Sequence, residues 1–187
     1  MKKILLLLFV FTLVSISAFS MDILNFPPPI DKGDLLVNAG IGFGTFGSRN
    51  WNMRIPPLAA SLEYCLPVEL PISVGGMFSF FSYGWDRPGG DSWTYNFMVF
   101  AARGNWHWNF DVSWLDFYTG LSLGYQHFTE RYSGPDSVWA NNFYSWNYSG
   151  LYWATQAGAR FFFTDKIGAF AELGHPVWLK AGVTFKF

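Results

Sequence analysis

The chain is poor in charge. Asp, Glu, Lys and Arg make up 13% of its 187 residues, against about 25% in an ordinary soluble domain. It has one cysteine, Cys65, so no internal disulfide can staple the fold. No small-residue lipobox precedes Cys65, and it reads as a small apolar core residue. Basic residues are not in excess, with a formal net charge of −1, which excludes the electrostatic footprint of a nucleic-acid binder. No metal-ligand spacing and no glycine-rich phosphate loop stands out. After the first twenty residues no apolar run approaches the ~20 residues of a spanning helix.

What is present is oily. Hydrophobic residues make up 51% of the chain and aromatics 21%. This material is spread in short alternating pieces. That pattern suits a closed sheet whose outside faces lipid, because a bilayer admits only helices and closed barrels.

Residues 1–20 read as a cleaved signal peptide. Met1-Lys2-Lys3 is basic, Ile4 to Val14 is almost wholly apolar, and Ser15 to Ser20 is small and mildly polar. Cleavage is expected after Ser20, with Ala18 as the alternative site. Without this segment the chain has ten basic and thirteen acidic residues, a net charge of −3. Residues 21–33, with Pro27-Pro28-Pro29, read as an extended lead-in, and residues 34–187 as one barrel domain.

Side chains alternate between the two faces of a strand. Eight segments follow that period: about 34–46, 58–66, 72–83, 95–108, 114–128, 148–163, 167–174 and 179–187. The last is the clearest. Leu179, Ala181, Val183, Phe185 and Phe187 form one face, and Lys180, Gly182, Thr184 and Lys186 the other. In the fourth segment both sets are apolar at first. Placing Met98, Phe100, Ala102, Trp106 and Trp108 outward turns Arg103, Asn105 and His107 inward. Elsewhere the apolar face alone sets the register. Glu63, Asp116, Arg160, Glu172, Lys180 and Lys186 then all fall on the inward face. An Arg or Lys facing lipid at mid-height would cost about 2–4 kcal/mol. The joints at 67–71, 109–113 and 164–166 are short. Those at 47–57, 84–94 and 129–147 are long, and 175–178 is short but on the same end as the long ones. Short turns on one side and long loops on the other is the outer-membrane pattern. A lipocalin-like soluble barrel is the alternative, but it needs an apolar interior and a polar outside.

With the strands placed, residues 34–187 resemble the small eight-stranded outer-membrane barrels of the OmpX/OmpW/OmpA transmembrane type. The resemblance rests on Val37-Asn38-Ala39-Gly40-Ile41-Gly42-Phe43-Gly44, on Pro57-Leu58-Ala59-Ala60-Ser61-Leu62-Glu63-Tyr64, on Arg103-Gly104-Asn105-Trp106-His107-Trp108, and above all on Lys180-Ala181-Gly182-Val183-Thr184-Phe185-Lys186-Phe187. It implies an all-β, eight-stranded antiparallel transmembrane barrel in the outer membrane of a diderm bacterium. It also implies that Val183, Phe185 and Phe187 form the C-terminal signal read by the barrel-assembly machinery. An OmpA-like peptidoglycan-anchoring role is not expected.

The candidate site residues are the inward charges Glu63, Arg103, Asp116, Arg160, Glu172 and Lys180. An eight-stranded barrel is just wide enough for side chains to fill. Charges there must pair, so they read as a structural polar network; a polar path or gate is the alternative. No catalytic, metal or cofactor residue is assigned. His127-Phe128-Thr129-Glu130 is weighed against the His-x-Ser spacing of lipid A deacylases, with Thr where Ser is expected. A rim histidine meeting solvent fits better. Trp51, Trp85, Trp93, Trp139, Trp146 and Trp178 are expected in or beside the outer loops as an interfacial girdle, or as anchors for a partner. The third long loop, with Arg131 and Asp136, is the candidate partner surface. The expected function is non-enzymatic. The protein would be structural or surface-exposed, with loops meeting a host or environmental ligand and lipids around the wall. A narrow OmpW-like channel for small or hydrophobic solutes is the alternative, and a lipid A-modifying enzyme the third.

Overall fold

The computed structural model describes residues 25–44, 52–88, 90–134 and 147–187. The signal segment, Asp136 and the tryptophans at 51, 139 and 146 lie outside these residues. Eight antiparallel strands close into one barrel in sequence order. They are β1 (Leu35–Phe43), β2 (Asn52–Cys65), β3 (Ile72–Asp86), β4 (Ser92–Trp108), β5 (Leu115–Ser133), β6 (Asn147–Phe162), β7 (Ile167–Gly174) and β8 (Leu179–Lys186). Closure is made by β1 and β8, and their pairing runs to the last residue: Phe187 N–H donates to the Leu35 carbonyl and Leu35 N–H to that of Phe187, each at 3.0 Å. No helix among the described residues is long and apolar enough to cross a membrane.

The expected faces hold along all eight strands. Leu62, Phe100, Leu121, Leu151, Leu173 and Val183 are exposed on the outside, while Glu63, Arg103, Asp116, Arg160, Glu172 and Lys180 are buried inside. Arg103 on the inner face also settles the register of β4.

Several boundaries differ from expectation. The expected long loop at 84–94 is a tight hairpin. Trp85 pairs with Trp93 and Asp86 with Ser92, and the turn takes Gly90 into the left-handed region at φ 97°. Trp85 and Trp93 are therefore strand residues. β5 runs on to Ser133, and β2 begins at Asn52 rather than near Leu58. The β2–β3 register slips on either side of Ile55, beside Pro56 and Pro57, which have no N–H for the ladder.

The extra length has a physical meaning. Along β3, β4, β5 and β6 the apolar face changes sides at one level. Below it Phe78, Phe80, Phe100, Met98, Leu123 and Leu151 point out. Above it the outward positions are Ser82, Asn96, Thr94, Thr129, Arg131 and Ser149. The inward positions there are Phe81, Tyr83, Trp93, Tyr95, Phe128 and Tyr148. Cross-strand pairing aligns the switch, with Ser82 opposite Asn96, Asn96 opposite Thr129 and His127 opposite Ser149. From Phe161 to Leu151 β6 climbs about 25 Å at ~3.3 Å per residue and ~40° tilt, the height of an outer-membrane apolar band. Above that level the strands have the polarity of a sheet in water.

Candidate functional site

The lower lumen is filled by a connected polar network. Arg160 is its centre and is fully buried. Its Nη1 lies 2.5 Å from Asp116 Oδ2, its Nη2 2.6 Å from Glu63 Oε1, and its Nε donates to Asn38 Oδ1 at 3.2 Å. The planar guanidinium matches this demand for several donors in one fork. It also lies over the Tyr118 ring, 4.1 Å from the centroid. The backbone beneath is Gly158, where a Cβ would collide with that ring.

Glu172 centres a second group. Its Oε1 is 2.5 Å from Lys180 Nζ; its Oε2 is 2.6 Å from Arg103 Nη2 and accepts from Tyr118 O–H at 2.8 Å. Arg103 Nε lies 3.6 Å from Glu63 and joins the groups. Glu63 is further held by Asn105 at 2.8 Å and Ser73 at 3.2 Å. The structure thus brings together all six candidate charges, three of each sign. Burial of ions is tolerated when each is paired and its remaining donors and acceptors are met.

His107 adds a row that sequence reasoning did not identify. Its Nδ1 lies 2.7 Å from Asp116 Oδ1 and its Nε2 2.9 Å from Ser73 Oγ. The order Ser–His–Asp is that of a nucleophile, its base and an orienting acid. Here all three are completely buried, and Ser73 also faces Glu63. No substrate carbonyl can reach Ser73 in this arrangement. The chemistry available is hydrogen bonding within the network. His127, weighed above for catalysis, sits on the outward side of β5, with Nδ1 2.6 Å from Ser149 Oγ.

Both ends of the lumen are closed by apolar residues. At the terminal end Phe26 and Ile30 of the lead-in pack with Leu36, Cys65 and Phe162. The Phe26 ring lies 5.6 Å from that of His107. Residues 25–33 of the lead-in therefore form a plug rather than a free extended arm, pinned by Lys186 Nζ donating to the Pro29 carbonyl. At the loop end Val177, between β7 and β8, is fully buried against Phe81 and Tyr83. Tyr152 O–H donates to the His175 carbonyl beside it. Between the ends, a cavity near Arg103 and Lys180 holds about 10 Å³, room for about one water.

The wall has one further feature. β6 keeps its partner β7 only up to Gln156, opposite Gly174, while β6 itself begins at Asn147. A cleft of about 860 Å³ lies at this step. It is lined both by outward residues, Leu121, Trp153 and Leu173, and by inward ones, Gly120, Ala154 and Gln156. The cleft therefore cuts into the wall from the lipid side.

Sequence reasoning missed Tyr118, Tyr152, Phe26, Ile30 and Val177. The two tyrosines occupy inward positions and were available to the same alternation rule. The other three lie outside the strands, where no periodicity applies.

A closed eight-stranded barrel with an oily outside and a charged, plugged inside is the fold of the small outer-membrane β-barrels. No family model matches the chain, and no curated protein matches its sequence. Among solved structures it is similar to Ail, the attachment invasion locus protein of Yersinia pestis, in complex with the heparin analogue sucrose octasulfate: TM-score 0.56, 14% identity, 83% of this chain and 99% of that one. It is also similar to the outer membrane protein OprG from Pseudomonas aeruginosa, with TM-score 0.50, 14% identity, 89% of this chain and 99% of that one.

Proposed function

We propose that this is a non-enzymatic protein of a diderm outer membrane, exported by a signal at residues 1–20, that presents its loop end to the outside. The sealed lumen carries this reading. Salt-bridged charges fill the middle, the lead-in stops one end and Val177 the other, so a continuous water path has no room. Val183, Phe185 and Phe187 stand on the outer face of the closing strand, where the assembly machinery would read them. Outer-membrane lipids cover the apolar band, and a host or environmental ligand would meet the loop end. The buried Ser73–His107–Asp116 row supports a structural role over a lipid A-modifying one. Planar-bilayer recording of the purified barrel tests the reading. A silent bilayer, with an epitope in the 87–90 turn accessible on intact cells, is the expected result. Steady unit conductance or an epitope reached only after lysis would overturn it.

A second reading, passage of small hydrophobic solutes, is favoured by one observation, the cleft between β6 and β7. Solutes would enter from the lipid side past Trp153. Its test is uptake of an apolar fluorophore into liposomes bearing the protein, where no gain over empty liposomes counts against it.

A further inference from the structure

The concave face of the strands above the apolar band has no place in the function proposed so far. Its inward positions are almost all aromatic. Trp85 and Trp93 pack with ring centroids 4.8 Å apart, and Trp93 and Tyr132 continue the row at 5.0 Å. A second row lies nearer the membrane, with Tyr95 and Phe128 stacked at 5.8 Å. Tyr148 borders it opposite Phe128. These rings line the mouth above Val177. They are not all sealed by packing: Tyr148 is 54% exposed and Trp85 37%.

Hydrogen-bonding groups are set among the rings. Glu130 Oε1 accepts from Tyr95 O–H at 3.1 Å, and Asp91 Oδ1 from Tyr132 O–H at 2.6 Å. Among the described strand residues, none of the inward positions above the polarity switch is Lys, Arg or His. Two described strand cations at this level are turned outward. Arg54 binds Asp86 at 2.8 Å and Ser92 at 2.7 Å across the convex face, and Arg131 is also on an outward position, opposite Thr94.

We infer that this mouth is a binding site for a neutral oligosaccharide from outside the cell. A sugar ring presents an apolar C–H face, slightly positive at its hydrogens, which the negative face of an aromatic ring accepts. Its hydroxyls need interleaved acceptors and donors, here Glu130, Asp91 and the tyrosine hydroxyls. Pockets that bind this way combine aromatic walls with a few fixed polar groups. Charge decides which sugars fit. A polyanionic glycan, such as phosphorylated or sulfated sugar, would meet two carboxylates and, among the described strand residues, no inward cation. The anionic sugars that stand nearest an outer-membrane surface are thereby disfavoured, and a neutral chain arriving from the medium is favoured. The row of three rings spans three neighbouring strands, about 10 Å at ~4.8 Å per strand, enough for about two sugar units.

The inference rests on the outward orientation proposed above, which the epitope experiment reads without any ligand. The test uses the full mature barrel in detergent. Maltoheptaose, cellohexaose and chitohexaose are titrated against tryptophan fluorescence and by calorimetry, with a heparin hexasaccharide as the polyanion. Saturable binding of at least one neutral probe, tighter than the heparin probe, is expected. Tyr148→Ala and Trp93→Ala are each expected to weaken it about tenfold or more, by loss of a stacking face. Trp114→Ala, at the opposite end of the wall, leaves it unchanged. Heat-modifiable gel mobility confirms that each variant is folded, and Tyr148→Ala is the decisive one because its ring is the most exposed of the set. No saturable binding of any neutral probe, tighter binding of heparin, or equal affinity of Tyr148→Ala and the parent would each overturn the inference.

Discussion

Arg160 makes contacts that no other side chain could make from that position. Lys lacks the fork that reaches Asp116, Glu63 and Asn38 together. Arg160→Ala leaves two buried carboxylates short of a cation and is expected to cost about 3–5 kcal/mol, read by urea unfolding in detergent micelles. Arg103→Ala is expected to cost less, because Glu172 keeps Lys180 and Tyr118. Combining Arg160→Met with Asp116→Asn should recover part of the loss, since one charge of each sign is removed while Glu63 keeps Arg103 and Glu172 keeps Lys180. A double variant as weak as the sum of its single changes would refute the network, because residues that share partners are not additive. Two of these pairs could be foreseen at this scale: Asp116 opposite Arg160 and Glu172 opposite Lys180 are hairpin neighbours in register. Contact of Arg160 with Glu63, far away along the chain, depends on barrel closure and is not legible in any local pattern.

At the scale of the element, alternation was a strong guide to faces and a weak one to ends. Eight strands and their inward sets could be read because lipid outside and packed charges inside make the two faces chemically opposite. The same rule hid the upper strands. Where the polarity reverses, a search for oily-outside residues stops, so Trp93 and Tyr132 looked like loop residues. The switch makes a testable prediction. Phe100→Lys, below it, is expected to cost about 2–4 kcal/mol. Ser133→Lys, outward but above it, is expected to stay within ~0.5 kcal/mol. Equal costs by equilibrium unfolding would place the membrane boundary elsewhere.

For the whole molecule the decisive feature is closure at both ends. A barrel of this strand number can be filled by its own side chains, yet the terminal end also takes in the lead-in. Cys65 reports on that end, being buried with Phe26 and Ile30. It is expected to resist maleimide in the folded parent. Ile30→Asp, which forces a carboxylate into the apolar cluster, is expected to expose Cys65 while the barrel keeps its heat-modifiable mobility. Labelling equal to the parent in a folded Ile30→Asp variant would show that the lead-in does not guard this end.

By itself the sequence determined the class of fold, the number of strands and the inward side of the lumen charges. It could do so because the bilayer imposes period-two alternation, and the penalty for a charge on lipid is large. Only the tertiary structure decided which charges meet across the lumen, that the lead-in and Val177 stop its ends, and that the upper rings share one concave face. Those facts depend on closure of the sheet. Closure places residues far apart in the chain within hydrogen-bond reach, and it turns a face that reads as polar or aromatic along one strand into a wall shared by several.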